Sequence, residues 1–508
     1  MRRISTFISA ALLACPTLAQ QPLSAIEWLN EPISVPVANP LVPPIDEPPV
    51  TDGIVVHDVT VMPLEAAGHD AVGLLPTSVT GLPPSLWSAS DERDLLLLWN
   101  RASAEPIPAV QALYYTLLLA EADAPLGADG AFLIARVDSL ERFGAVEPAQ
   151  ALLERAGPNT PDLFAQWFDL TLLSGDEGKA CNALKLNPSL HPGYAAQIFC
   201  TARSGDWNTA VLLFDTAQAL DVLNASEKHL LAQFLQPETA ETATQLAPVK
   251  DPSPLIFRLY EAIGTPLPTR NLPLAFATAD LRDTSGWKVE IEAAERLVRT
   301  GALSENRLLG LYTDRKPAAS GGLWDRLKDF QKFETALGAR DATRVALTLP
   351  DVWQHMRQQR LEIAFARLFS EALTGLSLPA SSKSLAFKIA MLTADYEASA
   401  TNAGDSRSDR FLASLAIGEP DSIFASSPLE HAIADTFSAA IKPALQDARL
   451  LRNGRLGEAI LSAANRLDLA DVGDLPEISS ALATLRAVGL EDTARRAALQ
   501  LVILDRVQ

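Results

Sequence analysis

From Ser88 onward apolar positions recur at helical spacing almost without a break, and the runs 95–99 and 110–119 are dense enough to be core. Start signals punctuate the pattern. Thr160-Pro161 and Ser253-Pro254 place a cap before a first-turn proline, and Asn224 with Glu227 has capping-box spacing. Further helices are predicted around 255–263, 287–300, 304–312, 323–337 and 361–373. Periodicity fails over 237–254, where Pro248 and Pro252 fall among Thr, Ala and Gln, and again over the polar stretch 401–410. Upstream, residues 21–50 hold prolines at 22, 32, 36, 40, 43, 44, 48 and 49, which predicts an extended arm rather than a packed element. Two islands interrupt it. Residues 23–29 are spaced so that a short helix could bury Leu23, Ile26 and Trp28, and the β-branched run 54–61 reads as one isolated strand. The arm either docks on a partner, with Ile26 and Trp28 as contacts, or folds back along its own helices.

A second pattern overlies the first. Gly144 precedes Ala149, Gly175 precedes Ala180 and Gly205 precedes Ala210, each by five places, and Gly454/Ala459 and Gly489/Ala494 repeat it near the end. Glycine permits a tight turn, and a small residue opens a second helix that packs closely on the first. The third copy, Gly205-Asp-Trp-Asn-Thr-Ala-Val, resembles the turn and second helix of a tetratricopeptide repeat. Leu153 and Ala156 in the first copy, and Phe214 and Ala217 in the third, continue the likeness. It covers 130–240 and 440–508. It departs from the family in most first-helix aromatics, Phe164 and Tyr194 being the best matches. The resemblance implies an all-α, right-handed helical-hairpin solenoid carrying a Pro-rich N-terminal arm. Its parts are a signal peptide (1–19), the arm (20–87), a first repeat block (88–245), an irregular middle block (254–400) and a last repeat block (408–508). The whole chain is similar to secreted alanine- and leucine-rich repeat proteins of Gram-negative bacteria, which implies no particular activity.

Composition changes the picture in two ways. Apolar residues are 48% and aromatics only 6%, with leucine and alanine dominant, which favours helix over strand. The net charge of −20 opposes phosphate backbones and anionic lipid surfaces, so nucleic acid and membrane are not expected partners. Arg2 and Arg3 before an apolar run at 8–14, with small residues at Thr17 and Ala19, predict a secretory signal peptide cut before Gln20. The competing reading is a lipoprotein box with Cys15 acylated. Export places Cys181 and Cys200 in an oxidising compartment, where they form a disulfide between neighbouring helices or remain buried thiols.

Catalytic motifs are absent from the sequence: it contains no G-x-S-x-G, H-E-x-x-H, G-x-x-x-x-G-K or G-x-G-x-x-G. No cofactor is expected. Two places remain as candidate sites. In the loop 313–326, Arg315 and Lys316 precede Ser-Gly-Gly at a helix start. This is either an anion site or a turn capped by Ser320 with Trp324 packed inward. The other place is the concave groove, which by resemblance is lined by the first helix of each hairpin. Asp138, Glu141, Arg142, Asp169, Phe199 and Arg203 fall there, and mixed polar and aromatic rows suit an extended peptide. The expected function is a periplasmic, non-catalytic scaffold or adaptor for another envelope protein. The alternative is an enzyme or accessory of cell-wall glycan processing.

Overall fold

The glycine–alanine pairs all build the same turn. Backbone φ is 75° at Gly144, 87° at Gly175, 89° at Gly205, 76° at Gly454 and 87° at Gly489, the left-handed region that favours glycine. In each turn the amide after the glycine donates back across the helix end: Ala145 to Leu140, Asp176 to Thr171, Asp206 to Thr201, Arg455 to Leu450 and Leu490 to Leu485. That bond satisfies a carbonyl the helix leaves open. Five residues on, Ala149, Ala180, Ala210, Ala459 and Ala494 are fully buried.

The computed structural model describes residues 68–236, 249–282, 284–440, 442–470 and 473–504. They belong to one compact unit, Met62–Gln508. The signal peptide, Cys15, the island with Ile26 and Trp28, and the strand 54–61 lie outside the described residues. After a short α1 (Thr77–Thr80) come α2 (Glu92–Arg101) and α3 (Pro108–Leu119). The hairpins α4/α5 (Ala131–Arg142, Val146–Ala156), α6/α7 (Pro161–Ser174, Glu177–Leu186) and α8/α9 (Tyr194–Arg203, Trp207–Ala219) follow, then α10 (Ala225–Leu235). The middle region holds α11 (Pro254–Ala262), a 3-10 segment (Leu274–Leu281), α12 (Trp287–Arg299), α13 (Glu305–Thr313), α14 (Leu323–Gly338) and α15 (Ala342–Gln358). It continues through α16 (Glu362–Thr374), α17 (Ala380–Ala390) and the single turn α18 (Tyr396–Ser399). Then α19 (Arg407–Ala416) and α20 (Pro428–Ser438) lead to α21/α22 (Leu445–Arg452, Leu456–Leu469) and α23/α24 (Leu475–Ala487, Glu491–Leu504). Helices adjacent in sequence pack on one another, and no strand occurs among the described residues. Asn224 and Glu227 form the predicted capping box, and Ser253 caps α11. Thr160 makes no side-chain cap.

In the middle region the turn persists without its glycine. Arg340 and Arg360 take φ of 52° and 54°, and Asp341 and Leu361 donate to Ala336 and Met356. Five places on stand Val345 and Phe365, both buried, where the other hairpins have alanine.

Two packings join distant parts of the chain. The 3-10 segment lies on α4 and α6, and α11 lies on α6, so the middle region partly fills the inner face predicted to be an open groove. The last hairpins pack against the first helices, with α22 on α2 and α3, and α24 on α3. Polar contacts fix that seam: Tyr114 Oη donates to Asn465 Oδ1 (2.6 Å), Asn465 Nδ2 to the Leu98 carbonyl (2.8 Å) and the Ala109 amide to Gln500 Oε1 (2.7 Å).

The seam also corrects the arm. Residues 68–87, expected to be its end, belong to the folded body, with Leu82, Leu86 and Trp87 in the core. Buried Arg136 donates to the carbonyls of Val72 (2.7 Å), Leu118 (2.8 Å) and Ala120 (3.1 Å), tying this segment to α3 and α4. Cys181 on α7 and Cys200 on α8 form a disulfide with Cα atoms 5.0 Å apart, which is compatible with an oxidising compartment. No helix among the described residues is long and apolar enough to cross a membrane.

Candidate functional site

Where α11 and the 3-10 segment meet α6 and α8, five charged side chains alternate in sign. Glu177, buried at the start of α7, accepts from Arg203 (2.9 Å) and Arg258 (2.9 Å) through one oxygen. Arg258 also reaches Glu261 (2.5 Å), one turn along α11, and Glu261 accepts from Arg282 on both oxygens (2.7 and 2.9 Å). The ladder Arg203–Glu177–Arg258–Glu261–Arg282 thus carries three guanidiniums on two carboxylates. Nearby Asp280 accepts from Thr269 and from Ser285 (3.2 Å); burial raises its pKa, and those hydrogen bonds with the Arg296 charge act against the rise.

The ladder walls a cleft of about 700 Å³ whose rim includes Pro266, Leu267, Pro268 and Val289. Val289 is exposed, so the cleft offers an apolar ledge beside the cations. An arrangement of this kind can hold a carboxylate and an adjoining apolar group, because guanidinium pairs carboxylate with two parallel hydrogen bonds.

The sequence-predicted residues divide among several places. Arg203 and Phe199 do line this cleft, but Phe199 is 1% exposed and stacks on Phe234 (5.8 Å), so it is floor rather than a free contact. Asp138 and Asp169 do not line it. Together with Glu141 they form an acidic trio across α4 and α6. Burial raises Glu141 to about 8, with the charges of Asp138 and Asp169 adding to the shift, and burial raises Asp169 to about 7. Asp138 is also raised by desolvation, against the pull of Arg142 and a hydrogen bond from Gln166 (2.6 Å). Arg142 turns away, donating to the carbonyls of Trp99 (2.6 Å) and Ala102 (3.3 Å).

In the loop before α14, Trp324 packs inward against the core as expected, but the cap differs from the expected one. Gly322 is the N-cap and makes no side-chain bond, while Asp325 reaches back to accept from the Gly321 amide (3.0 Å). A carboxylate therefore already occupies the helix start, and Ser320 is not the cap. Arg315 pairs with Asp314 (2.9 Å) and lies over Trp287, on which Trp324 packs (5.3 Å). Lys316 sits apart, exposed beside Pro317 and Gln331.

Reading along the sequence missed Glu177, Arg258, Glu261 and Arg282. The Arg258–Glu261 pair, three apart on a helix, was the one available signal. Comparison with family models, with curated proteins and with solved structures finds no match to this chain.

Proposed function

We propose that this protein is a non-catalytic scaffold or adaptor of the periplasm, built on tetratricopeptide-like, right-handed hairpins, that binds an extended segment of another envelope protein. The observation that carries the reading is the arginine ladder. Three guanidiniums share two carboxylates at the wall of a 700 Å³ cleft with an apolar ledge. The segment it suits bears a carboxylate next to an apolar side chain. Selection from a displayed random-peptide library tests this. Acidic–apolar motifs should be enriched and should lose affinity for Arg203→Gln/Arg282→Gln protein. Enrichment of no motif, or of one indifferent to both substitutions, rejects the reading.

One observation favours the glycan-processing alternative. Glu141 and Asp169 stand near pKa 8 and 7, where a carboxyl can serve as a general acid at neutral pH. Incubation with purified peptidoglycan decides the matter. Soluble fragments must appear, and must vanish with Glu141→Gln, for that alternative to hold.

A further inference from the structure

A second cavity, independent of the ladder, lies between α3, the α12–α13 connection and the α15–α16 turn, with a volume of about 450 Å³. Its cations are Arg299, Arg360 and Arg367, and Glu305 is the carboxylate lining it. Arg299 is held by neutral partners, donating to the carbonyl (2.6 Å) and side-chain oxygen (3.0 Å) of Gln359. Arg367 meets Glu305 at 3.7 Å, and Arg360 meets Glu105 at 3.1 Å outside the cavity wall. On a chain of net charge −20 this is a local surplus of positive charge. Arg360 moreover occupies a left-handed turn position, φ 54°, that glycine fills in other hairpins.

The same cavity is lined by Gln111, which is only 5% exposed, and neither its amide nitrogen nor its amide oxygen has a hydrogen-bond partner. One turn along α3, the Tyr115 hydroxyl is also buried and unpartnered. Buried polar groups are almost always paired, because leaving one unmade costs its full desolvation. Gln111 and Tyr115, which carry these unpaired groups, both line the cavity, whose apolar walls include Val298, Leu303 and Ile363. Of its arginines, Arg360 and Arg367 are exposed and Arg299 is half-buried, whereas Gln111 is buried.

We propose that this cavity binds a small amide-bearing carboxylic acid, of the N-acylated amino acid class. Its carboxylate meets Arg299 and Arg360, its apolar side chain packs on Val298 and Ile363, and its amide exchanges both hydrogen bonds with Gln111. Bare inorganic anions satisfy only the first of these, and simple fatty acids only the first two.

Titration calorimetry on the full chain tests the proposal with matched probes: N-acetyl-leucine, N-acetyl-leucinamide, 4-methylpentanoate and inorganic phosphate. N-acetyl-leucine should bind saturably, and removal of either its carboxylate or its amide should weaken binding about tenfold, the loss of one hydrogen-bonded group. Gln111→Met keeps the volume and removes the buried amide. It should preserve or raise thermal stability while abolishing the advantage of N-acetyl-leucine over 4-methylpentanoate. Arg299→Gln should weaken both carboxylates, and Arg315→Gln, remote from the cavity, neither. No saturable binding of N-acetyl-leucine overturns the proposal. So does equal binding of phosphate, or binding that Gln111→Met leaves unchanged.

Discussion

Gly457→Ala separates two accounts of the same residue. Gly457 is the second residue of α22, and by propensity alone alanine there should stabilise the helix by up to ~1 kcal/mol. The structure predicts the opposite. A Cβ at this position would stand 2.4 Å from Trp87 Cε3, 2.5 Å from Trp87 Cζ3 and 2.7 Å from the Leu86 carbonyl oxygen. The oxygen is backbone and Trp87 is 1% exposed, so neither gives way freely. Overpacking of this kind costs ~1–3 kcal/mol. If Trp87 is expelled instead, roughly 200 Å² of buried aromatic surface at ~25 cal/mol/Å² is lost, about 5 kcal/mol before the propensity gain. The net expectation is a loss of up to about 4 kcal/mol. Gly178 supplies the control, because it is also the second residue of its helix, α7, and a Cβ there meets nothing within 4 Å. Gly178→Ala should therefore be neutral or stabilising by up to ~1 kcal/mol. Urea denaturation followed by tryptophan fluorescence measures both. If Gly457→Ala stabilises the protein as Gly178→Ala does, residues 86–87 do not pack on α22 and the seam between first and last helices is wrong.

Other perturbations follow from the same contacts. Intact mass after alkylation of denatured, unreduced protein should show no modification of Cys181 or Cys200; the bridge spans a sequence separation of 19, and reducing it should cost about 3 kcal/mol. Ala210→Leu should cost ~1–3 kcal/mol by overpacking a fully buried crossing, whereas Asp215→Leu, on the exposed side of α9, should cost little; equal effects would refute the crossing. Stability should fall as pH rises from 5 to 8.5. Burial raises Asp468 to about 6, Asp169 to about 7 and Glu141 to about 8, so between the unfolded values near 4 and these pKa values the native state binds more protons. The loss accumulates at up to about 1.4 kcal/mol per pH unit for each group still protonated in the native state, and is complete above the highest of the three. Glu141→Gln should flatten the upper part of the curve, and a profile unchanged by that substitution would remove Glu141 from the account.

The parts of the fold legible in the sequence are those whose constraint is local. A left-handed turn at Gly144 or Gly454 demands glycine cheaply, and the helix crossing demands a small residue five places on, so both leave marks at fixed spacing. The middle hairpins use the same turn but place Arg340 and Arg360 at the left-handed position and Val345 and Phe365 at the crossing, which erases the mark without changing the geometry. Residues 68–87 were hidden for another reason. Pro76, Pro83 and Pro84 read as a continuation of the arm, yet Pro83 and Pro84 open the turn that delivers Leu86 and Trp87 to the core. The site was half legible. Arg203 falls on the last turn of a first helix, as the repeat resemblance implies. Its neighbours Arg258 and Arg282 come from a segment that no repeat rule places there; Arg258 meets Glu177 across 81 residues of sequence.

That distant origin bears on what the net charge means. A surplus of acidic groups, −20 over the whole chain, argues against polyanions that must cover a broad surface, such as nucleic acid or an anionic bilayer. It says much less about one carboxylate entering one cleft. Surface charges farther than about 8–10 Å are largely screened at physiological salt, whereas guanidiniums at hydrogen-bond distance in a partly buried wall are not. Both arginine-rich cavities, at Arg203–Arg258–Arg282 and at Arg299–Arg360–Arg367, are made where the middle region meets the helices before it. Neither exists on any single hairpin. The repeats supply Arg203 and part of the walls, and the irregular region supplies the other five arginines, so the region of the sequence with the weakest periodicity gives an acidic protein most of its local positive charge at these clefts. It follows that moderate salt should weaken such binding only modestly. A steep loss of affinity between low and physiological ionic strength would instead mean that long-range surface charge, not these two clefts, governs recognition.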